Sequence, residues 1–428
     1  MLRYLRGHGL RGSIGVSAAR AVGVVIGLLT SVLLARGLGE VARGEFAVIS
    51  AWSSVIMQFA ILGLSSSLPY FVALHPGWAK DLLRRSLLMS LGAWVVVGGV
   101  FVIGWIIGVG LISEQMGVLS MLAILAYSLS SLLFLLIQSA ALGLSKVLLF
   151  AWSDVAARVL SGTLLLALFA FSIQSAVLAS WAMAVGIIIT GVGVRAFIGE
   201  SNRARGAQFP VSAVTELRYG FRAWVACSLA AFVARVVVIA LASGSDSATV
   251  ANFAVALSVV ETLAAVASSI SQSRIAFMTQ AVRSGAGVRG EVLRTCALIG
   301  SITLAMAACV YFTAPFVMPY VYGVSYSQSS DALRFMIPWL VAMPLASVFQ
   351  TLLAAQGMPW LATLAPLLAT IAALVFIAVG YPIGIKGSSW AVSVSAGTFL
   401  LGAVAACVIQ RRNSRSSMLQ TSLLNVED

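Results

Sequence analysis

The sequence predicts an all-α polytopic membrane protein, with about twelve transmembrane helices in two six-helix lobes around a central cavity. Composition and the pattern of apolar residues predict this fold class. Hydrophobic residues make up 61% of the 428 residues and charged residues 9%, whereas soluble proteins contain roughly 45–50% and about 25%. The apolar residues form long continuous runs, whereas the strands of a membrane β-barrel alternate between apolar and polar residues. This difference excludes a β-barrel.

Each run is long enough, at about 20 residues, to cross the hydrocarbon core of a bilayer. A helix is expected for each run, because a helix satisfies all of its backbone groups within one segment. The runs cover roughly residues 15–35, 46–71, 87–110, 117–141, 148–171, 175–197, 219–242, 250–272, 292–313, 331–354, 359–380 and 386–409.

The runs fall into two groups of six, which predicts two lobes. The expected divisions are an N-terminal lobe over 1–200, a cytoplasmic linker over 201–216, a C-terminal lobe over 217–410 and a cytoplasmic tail over 411–428. A short internal similarity supports a duplication: residues 37–48 (GLGEVARGEFAV) and 244–255 (GSDSATVANFAV) both begin with Gly and end in Phe-Ala-Val. Each stretch follows the first run of its half in the same orientation, which indicates a parallel repeat.

The basic residues predict the orientation in the membrane. The net charge is +13, and 19 of the 26 Lys and Arg residues lie on alternate connections and at the two termini. The opposite connections hold only Arg36, Arg43, Arg334 and Lys386. By the positive-inside rule both termini of this multi-pass protein are cytoplasmic. This topological role accounts for the basic charge, so we expect no nucleic-acid partner.

Five charged residues lie within the apolar runs, where a charge at the bilayer centre costs at least ~2.5–3.5 kcal/mol. They are Arg20, Asp154, Arg158, Arg235 and Glu261. Helical spacing places each of them on a face with small and polar neighbours. Such faces are expected to line the protein interior or a cavity, because lipid penalises them.

The expected roles of these residues follow from their spacing and charge. Asp154 and Arg158 are four residues apart and can pair on one helix, which leaves Arg20 and Arg235 without a local partner and Glu261 as an unpaired acid. Arginines in a cavity suit an anionic ligand, because the guanidinium fork matches phosphate oxygens. We therefore expect Arg20, Arg158 and Arg235 to bind substrate, and Glu261 or Asp154 to carry a coupling ion. Alternatively, all five residues form structural ion pairs between helices.

The sequence contains no signature of an enzyme. It has no Walker A motif, and its four cysteines are scattered inside three of the runs without metal-ligand spacing. His8 and His75 lie near the ends of different runs. We therefore expect no catalytic residues, no metal and no cofactor.

Three stretches resemble one family of membrane proteins. Residues 33–52 (LLARGLGEVARGEFAVISAW) resemble the first-loop signature of Wzx-type bacterial polysaccharide flippases, which belong to the multidrug/oligosaccharidyl-lipid/polysaccharide exporter superfamily. Residues 233–256 and 314–362 resemble the seventh-span and the ninth-to-eleventh-span regions of that family. The resemblance runs nearly end to end, but it rests on loose placements of glycine, aromatic and small residues.

The resemblance implies a function and a location. Such proteins move undecaprenyl-diphosphate-linked oligosaccharide repeat units across the bacterial plasma (inner) membrane by alternating access, for lipopolysaccharide O-antigen and exopolysaccharide biosynthesis. The implied partners are the lipid-linked oligosaccharide, membrane lipids, and polysaccharide polymerase and chain-length proteins. Arg20 and Arg235 match places where related flippases have cavity arginines. The chain departs from the family at Val237, where members often have an acid, so ion coupling would fall to Glu261 here.

Three other functions remain open at this point. A multidrug antiporter of the same fold would need acidic residues to hold cationic drugs. An O-antigen polymerase or another membrane glycosyltransferase usually has a large external loop, which is not expected here. A peptidoglycan-precursor flippase resembles this chain but usually has more spans.

Overall fold

The structure is a computed structural model that describes residues 2–108, 117–198, 211–273, 278, 282, 288–356, 361–379 and 384–424. These residues form α-helices and short 3₁₀ turns without a strand, which confirms the all-α fold class. The helices are α1 Leu2–Ala60, α2 Leu64–Leu74, α3 Ala79–Ile106, α4 Val118–Gly143, α5 Val147–Ala170, α6 Ala176–Ala196, α7 Ala213–Gly244, α8 Ser247–Ser273, α9 Val288–Tyr322, α10 Gln328–Phe335, α11 Ile337–Ala355, α12 Leu364–Ala378 and α13 Ile385–Leu424.

Helix α1 is 59 residues long and covers two of the expected spans. It is divided by a kink at Gly39, where φ is 73° and ψ is 177°. Glycine takes this conformation readily because it has no Cβ. Gly27 and Ala51, which lie on opposite sides of the kink in the sequence, line the same cavity, so the chain folds back at this glycine. Positive φ values at Leu62 and Gly63 separate α1 from α2, which continues the second span.

The described residues hold eight helices that are long and apolar enough to cross a membrane, or nine if the bent pair α10–α11 is one span. The bend of 48° in this pair lies next to Pro338, which is in the first turn of α11, where the missing N–H of proline costs no helical hydrogen bond. Two further expected spans fall on shorter apolar stretches, Ala231–Gly244 in α7 and Leu364–Ala378 in α12. The helices therefore form a polytopic membrane fold.

The lobes meet along α1 and α8, where the two similar stretches of sequence pack together. Ala47 and Val48 share one hydrophobic cluster with Ala254 and Val255. At Gly44 the helices approach so closely that a Cβ would lie 1.9 Å from the carbonyl oxygen of Ser247. The absence of a side chain at this position therefore allows the two lobes to touch.

Polar contacts join the lobes at both ends of the bundle. We call the end that holds the starts of α3 and α7 the basic end. There Glu216, which is fully buried, accepts hydrogen bonds from Arg85 (2.5 and 3.1 Å) and from Ser86 (2.6 Å). At the opposite end, Arg36 donates to the carbonyl oxygens of Tyr320 and Val321 over 2.5 and 2.7 Å.

Two helix bounds differ from the expected divisions of the chain. Helix α7 begins at Ala213, so the last residues of the expected linker are helical, including Glu216. Helix α13 continues to Leu424, beyond residue 411, where the tail was expected to begin. The greater part of the expected linker, residues 201–210, lies outside the described residues.

Candidate functional site

A cavity of about 280 Å³ lies between the two lobes, with walls from α1, α5, α6, α7 and α8. Its charged lining consists of three arginines and one glutamate: Arg43, Arg158, Arg235 and Glu261. Ser31 of α1 and Ser258 of α8 also line it, and their hydroxyl oxygens are 3.0 Å apart across the lobe boundary. The sequence predicted that Arg158 and Arg235 face a cavity, and the structure brings them to the same one.

Asp154 and Arg158 form the predicted pair within α5. The Arg158 Nε donates to the Asp154 Oδ2 over 2.9 Å, and both side chains are about half exposed. Helix α1 leaves room for this pair at two glycines one turn apart. A Cβ at Gly27 would lie 2.9 Å from the Arg158 Nη1, and one at Gly23 would lie 3.8 Å from the Asp154 Oδ2. Asp154 itself lies outside the residues that line the cavity.

Arg235 is paired, and the expectation that it lacks a partner is wrong. Its Nη2 donates to the Glu261 Oε2 over 3.2 Å, from α7 to the neighbouring α8. The sequence could not show this pair, because 26 residues separate the two side chains and their contact depends on how the helices pack. Glu261 is therefore not an isolated acid, although it remains on the cavity wall.

Arg20 lies in α1 and is exposed, and it is not among the residues that line the cavity. It is two helical turns before Gly27, which corresponds to about 10 Å along the helix axis. Arg20 therefore lies nearer to the basic end than the cavity does. The structure separates this expected substrate ligand from Arg158 and Arg235.

Arg43 is a cavity residue that the sequence analysis placed on an external connection, and that assignment is wrong. The side chain is only 6% exposed, and its Nε has no hydrogen-bond partner among the residues that the structure describes. Among the described residues, no carboxylate forms an ion pair with it. Its guanidinium lies 5.4 Å from the centre of the Phe46 ring, within the range of a cation–π contact.

The kink at Gly39 explains why the sequence pattern predicted a connection at Arg43, where the structure has a helix. The expected loop between the first two spans is the start of a second helical segment, and Arg43 is one turn past the kink. A sequence signal for its position does exist. Arg43, Phe46, Ala47 and Ser50 are spaced three, four and seven residues apart, so they share one helix face, and all four line the cavity.

The charges around the cavity do not cancel. Glu261 neutralises Arg235, and Asp154 neutralises Arg158 from just outside the lining. Arg43 contributes a further positive charge without a carboxylate partner among the described residues. The arrangement therefore favours an anionic ligand near Arg43. No group of three metal-ligating side chains occurs in the part of the chain that the structure describes.

No known family profile matches the sequence, and no curated protein matches it. Solved structures with a similar fold do exist. The lipid II flippase MurJ, in an inward closed conformation, aligns with a TM-score of 0.69 and 13% identity over 92% of this chain and 87% of its own.

Transporters of the MATE family are similar as well. A multidrug resistance MATE family transporter of the MOP superfamily, in an inward-facing conformation, aligns with a TM-score of 0.66 and 16% identity over 92% of this chain and 99% of its own. An outward-facing structure of a MATE family transporter aligns with a TM-score of 0.56 and 15% identity over 96% of both chains. The chain therefore shares the fold of these membrane proteins.

Proposed function

We propose that this protein is a transporter that moves an undecaprenyl-diphosphate-linked oligosaccharide across the bacterial plasma membrane by alternating access. The observation that supports this proposal most strongly is the position of Arg43. It is a buried cation without a carboxylate partner among the described residues, in a cavity that two further arginines line. The proposed partners that supply and use the cargo are the enzymes of polysaccharide assembly, including a polymerase and chain-length proteins.

A diphosphate headgroup matches the chemistry of this cavity. A buried guanidinium with an unpaired Nε–H is unfavourable until an acceptor meets it. Phosphate oxygens accept hydrogen bonds from a guanidinium fork in a bidentate manner. Among the described residues, Arg158 and Arg235 each donate through one nitrogen to a carboxylate, so further N–H groups of both remain to meet a ligand.

The size of the cavity requires the lobes to separate during transport. A volume of about 280 Å³ lies just below the usual range for small-molecule sites, and an oligosaccharide with a polyprenyl diphosphate is larger than the ligands of such sites. We propose that the lobes open at one end to admit the headgroup and sugars, while the polyprenyl chain stays in the bilayer. Arg20, nearer to the basic end, then meets the diphosphate on its way to the cavity.

The Arg235–Glu261 pair suggests how an ion is coupled to transport. A coupling cation bound by the Glu261 carboxylate would weaken its contact with Arg235, and would free the guanidinium for the diphosphate. A bound diphosphate would in turn compete with Glu261 for the same guanidinium. We therefore propose Glu261 as the coupling residue in preference to Asp154, which lies outside the cavity lining.

Complementation of a bacterial strain that lacks its polysaccharide flippase tests the function. Arg43→Gln, Arg235→Ala and Arg20→Ala should abolish polysaccharide at the cell surface while the protein still inserts into the membrane. Arg289→Gln, which removes an exposed charge at the start of α9, is the matched control and should complement fully. Full complementation by Arg43→Gln and Arg235→Ala would contradict the proposal.

A second candidate function is the export of cationic drugs. Glu261 on the cavity wall favours it, because a carboxylate there could hold a cation. Drug sensitivity in an efflux-deficient strain distinguishes the two functions. A multidrug transporter would confer resistance that Glu261→Gln abolishes and Arg43→Gln leaves intact, whereas a flippase would confer none.

A further inference from the structure

We propose that a groove at the basic end binds the headgroup of an anionic phospholipid. The groove lies between α3 and α6 and encloses about 480 Å³. It is separate from the cavity between the lobes, since the two share no lining residue. The proposed lipid site therefore does not depend on which cargo the transporter carries.

The polar part of the groove is basic. Lys80 and Arg84 of α3 and Arg195 of α6 line it, and none of its described lining residues is a carboxylate. Lys80 and Arg84 are four residues apart, so two like charges lie next to each other on one helix face, which is unfavourable in isolation. A phosphate between these cations would remove the repulsion and accept hydrogen bonds from all three residues.

The remainder of the groove is apolar, as the glycerol and acyl part of a lipid requires. Leu83 and Leu87 of α3 lie on the same helix face as the two cations, and Ile198 lies opposite. The apolar surface continues along the bundle, away from the basic end: Val192 is 64% exposed and Leu88 is 60% exposed. A soluble anion would leave this surface uncovered, whereas acyl chains would lie against it.

The local sequence places the groove at the level of the membrane–water interface. Helix α3 begins at Ala79, directly after Trp78, and tryptophan is enriched at that interface. The long side chains of Lys80 and Arg84 can extend from the apolar helix surface to the headgroup region. Arg85, the next residue, instead contacts Glu216 of the second lobe. Lys80 and Arg84 take no part in that contact between the lobes.

Native mass spectrometry of the full-length protein in detergent tests the site. Phosphatidylglycerol and phosphatidylcholine with identical acyl chains are the probes. The wild type should retain one phosphatidylglycerol in preference to phosphatidylcholine. The triple variant Lys80→Gln, Arg84→Gln, Arg195→Gln should bind phosphatidylglycerol roughly a hundredfold more weakly, because each Lys or Arg contributes to attraction of an anionic lipid.

A control variant that loses three positive charges outside the groove shows whether the loss of binding depends on the groove or on net charge. Arg218→Gln, Arg289→Gln, Arg294→Gln removes three exposed cations outside the groove and should retain the lipid. Thermal melting of both variants confirms that they are folded. Equal retention by the two variants, equal binding of phosphatidylcholine by the wild type, or displacement of the lipid by millimolar inorganic pyrophosphate would overturn the proposal.

Discussion

Arg235 of α7 donates a hydrogen bond to Glu261 of α8 over 3.2 Å, on the wall of the cavity between the lobes. This pair decides which cation in the cavity lacks a carboxylate partner. With Arg235 held by Glu261 and Arg158 held by Asp154, the charge without a carboxylate partner among the described residues is Arg43. We therefore expect the substrate anion to bind closest to Arg43.

Arg43→Gln should reduce transport in proteoliposomes by at least about tenfold, because a hydrogen bond to a charged group contributes about 1.5–3 kcal/mol. The thermal stability of the protein should be unchanged or higher, since the substitution removes a buried charge that lacks an ion-pair partner. Arg43→Lys should retain part of the activity, because it keeps the charge but loses the fork. A fully active Arg43→Gln protein would contradict a role in binding.

A double-mutant cycle at Arg235 and Glu261 should show a coupling free energy of about 0.6 kcal/mol, the average for hydrogen bonds between helices in a membrane protein. Each single alanine substitution should lower the thermal stability, and the double substitution should cost less than the sum. The pair Arg158 and Asp154 is the comparison. Its coupling should be smaller, because both side chains are about half exposed and exposed pairs are weak. A larger coupling free energy for Arg158 and Asp154 would contradict the claim that the Arg235–Glu261 pair is the stronger of the two.

Glu216→Ala should open the basic end. Loss of one partner of a fully buried pair costs about 3–5 kcal/mol, and less is expected here because the Arg85 side chain is 21% exposed. Hydrogen exchange should increase in α2 and at the start of α7, which meet next to this contact. Arg84→Gln, at the neighbouring residue, is the control and should leave exchange in both segments unchanged. Unchanged exchange in Glu216→Ala would show that this contact does not hold the lobes together.

Gly44→Ala should destabilise the contact between the lobes. The new Cβ would lie 1.9 Å from the Ser247 carbonyl oxygen, so α1 and α8 would have to move apart. Gly92→Ala in α3 is a matched control, because a Cβ there would meet nothing within 4 Å. The control should be neutral or more stable by up to about 1 kcal/mol, the difference in helix propensity between Gly and Ala. Equal melting temperatures for the two variants would contradict the close approach of the helices.

The sequence predicted the features that depend on composition and on spacing within one helix. The apolar runs marked the spans, and the four-residue spacing of Asp154 and Arg158 predicted their pair. It could not predict contacts that depend on how separate helices pack. The Arg235–Glu261 pair joins two helices, and the Arg85–Glu216 pair joins residues 131 positions apart. Arg43 was assigned to a loop because hydropathy alone does not distinguish a glycine kink from a connection.

Equilibrium binding of undecaprenyl diphosphate to the reconstituted protein tests most directly whether the cavity holds a diphosphate at Arg43. We expect the wild type to bind undecaprenyl diphosphate and to discriminate against undecaprenol. The Kd should rise by about tenfold or more in Arg43→Gln and stay unchanged in the control Arg289→Gln. Equal affinity for the diphosphate and the alcohol, or an unchanged Kd in Arg43→Gln, would contradict the proposed site.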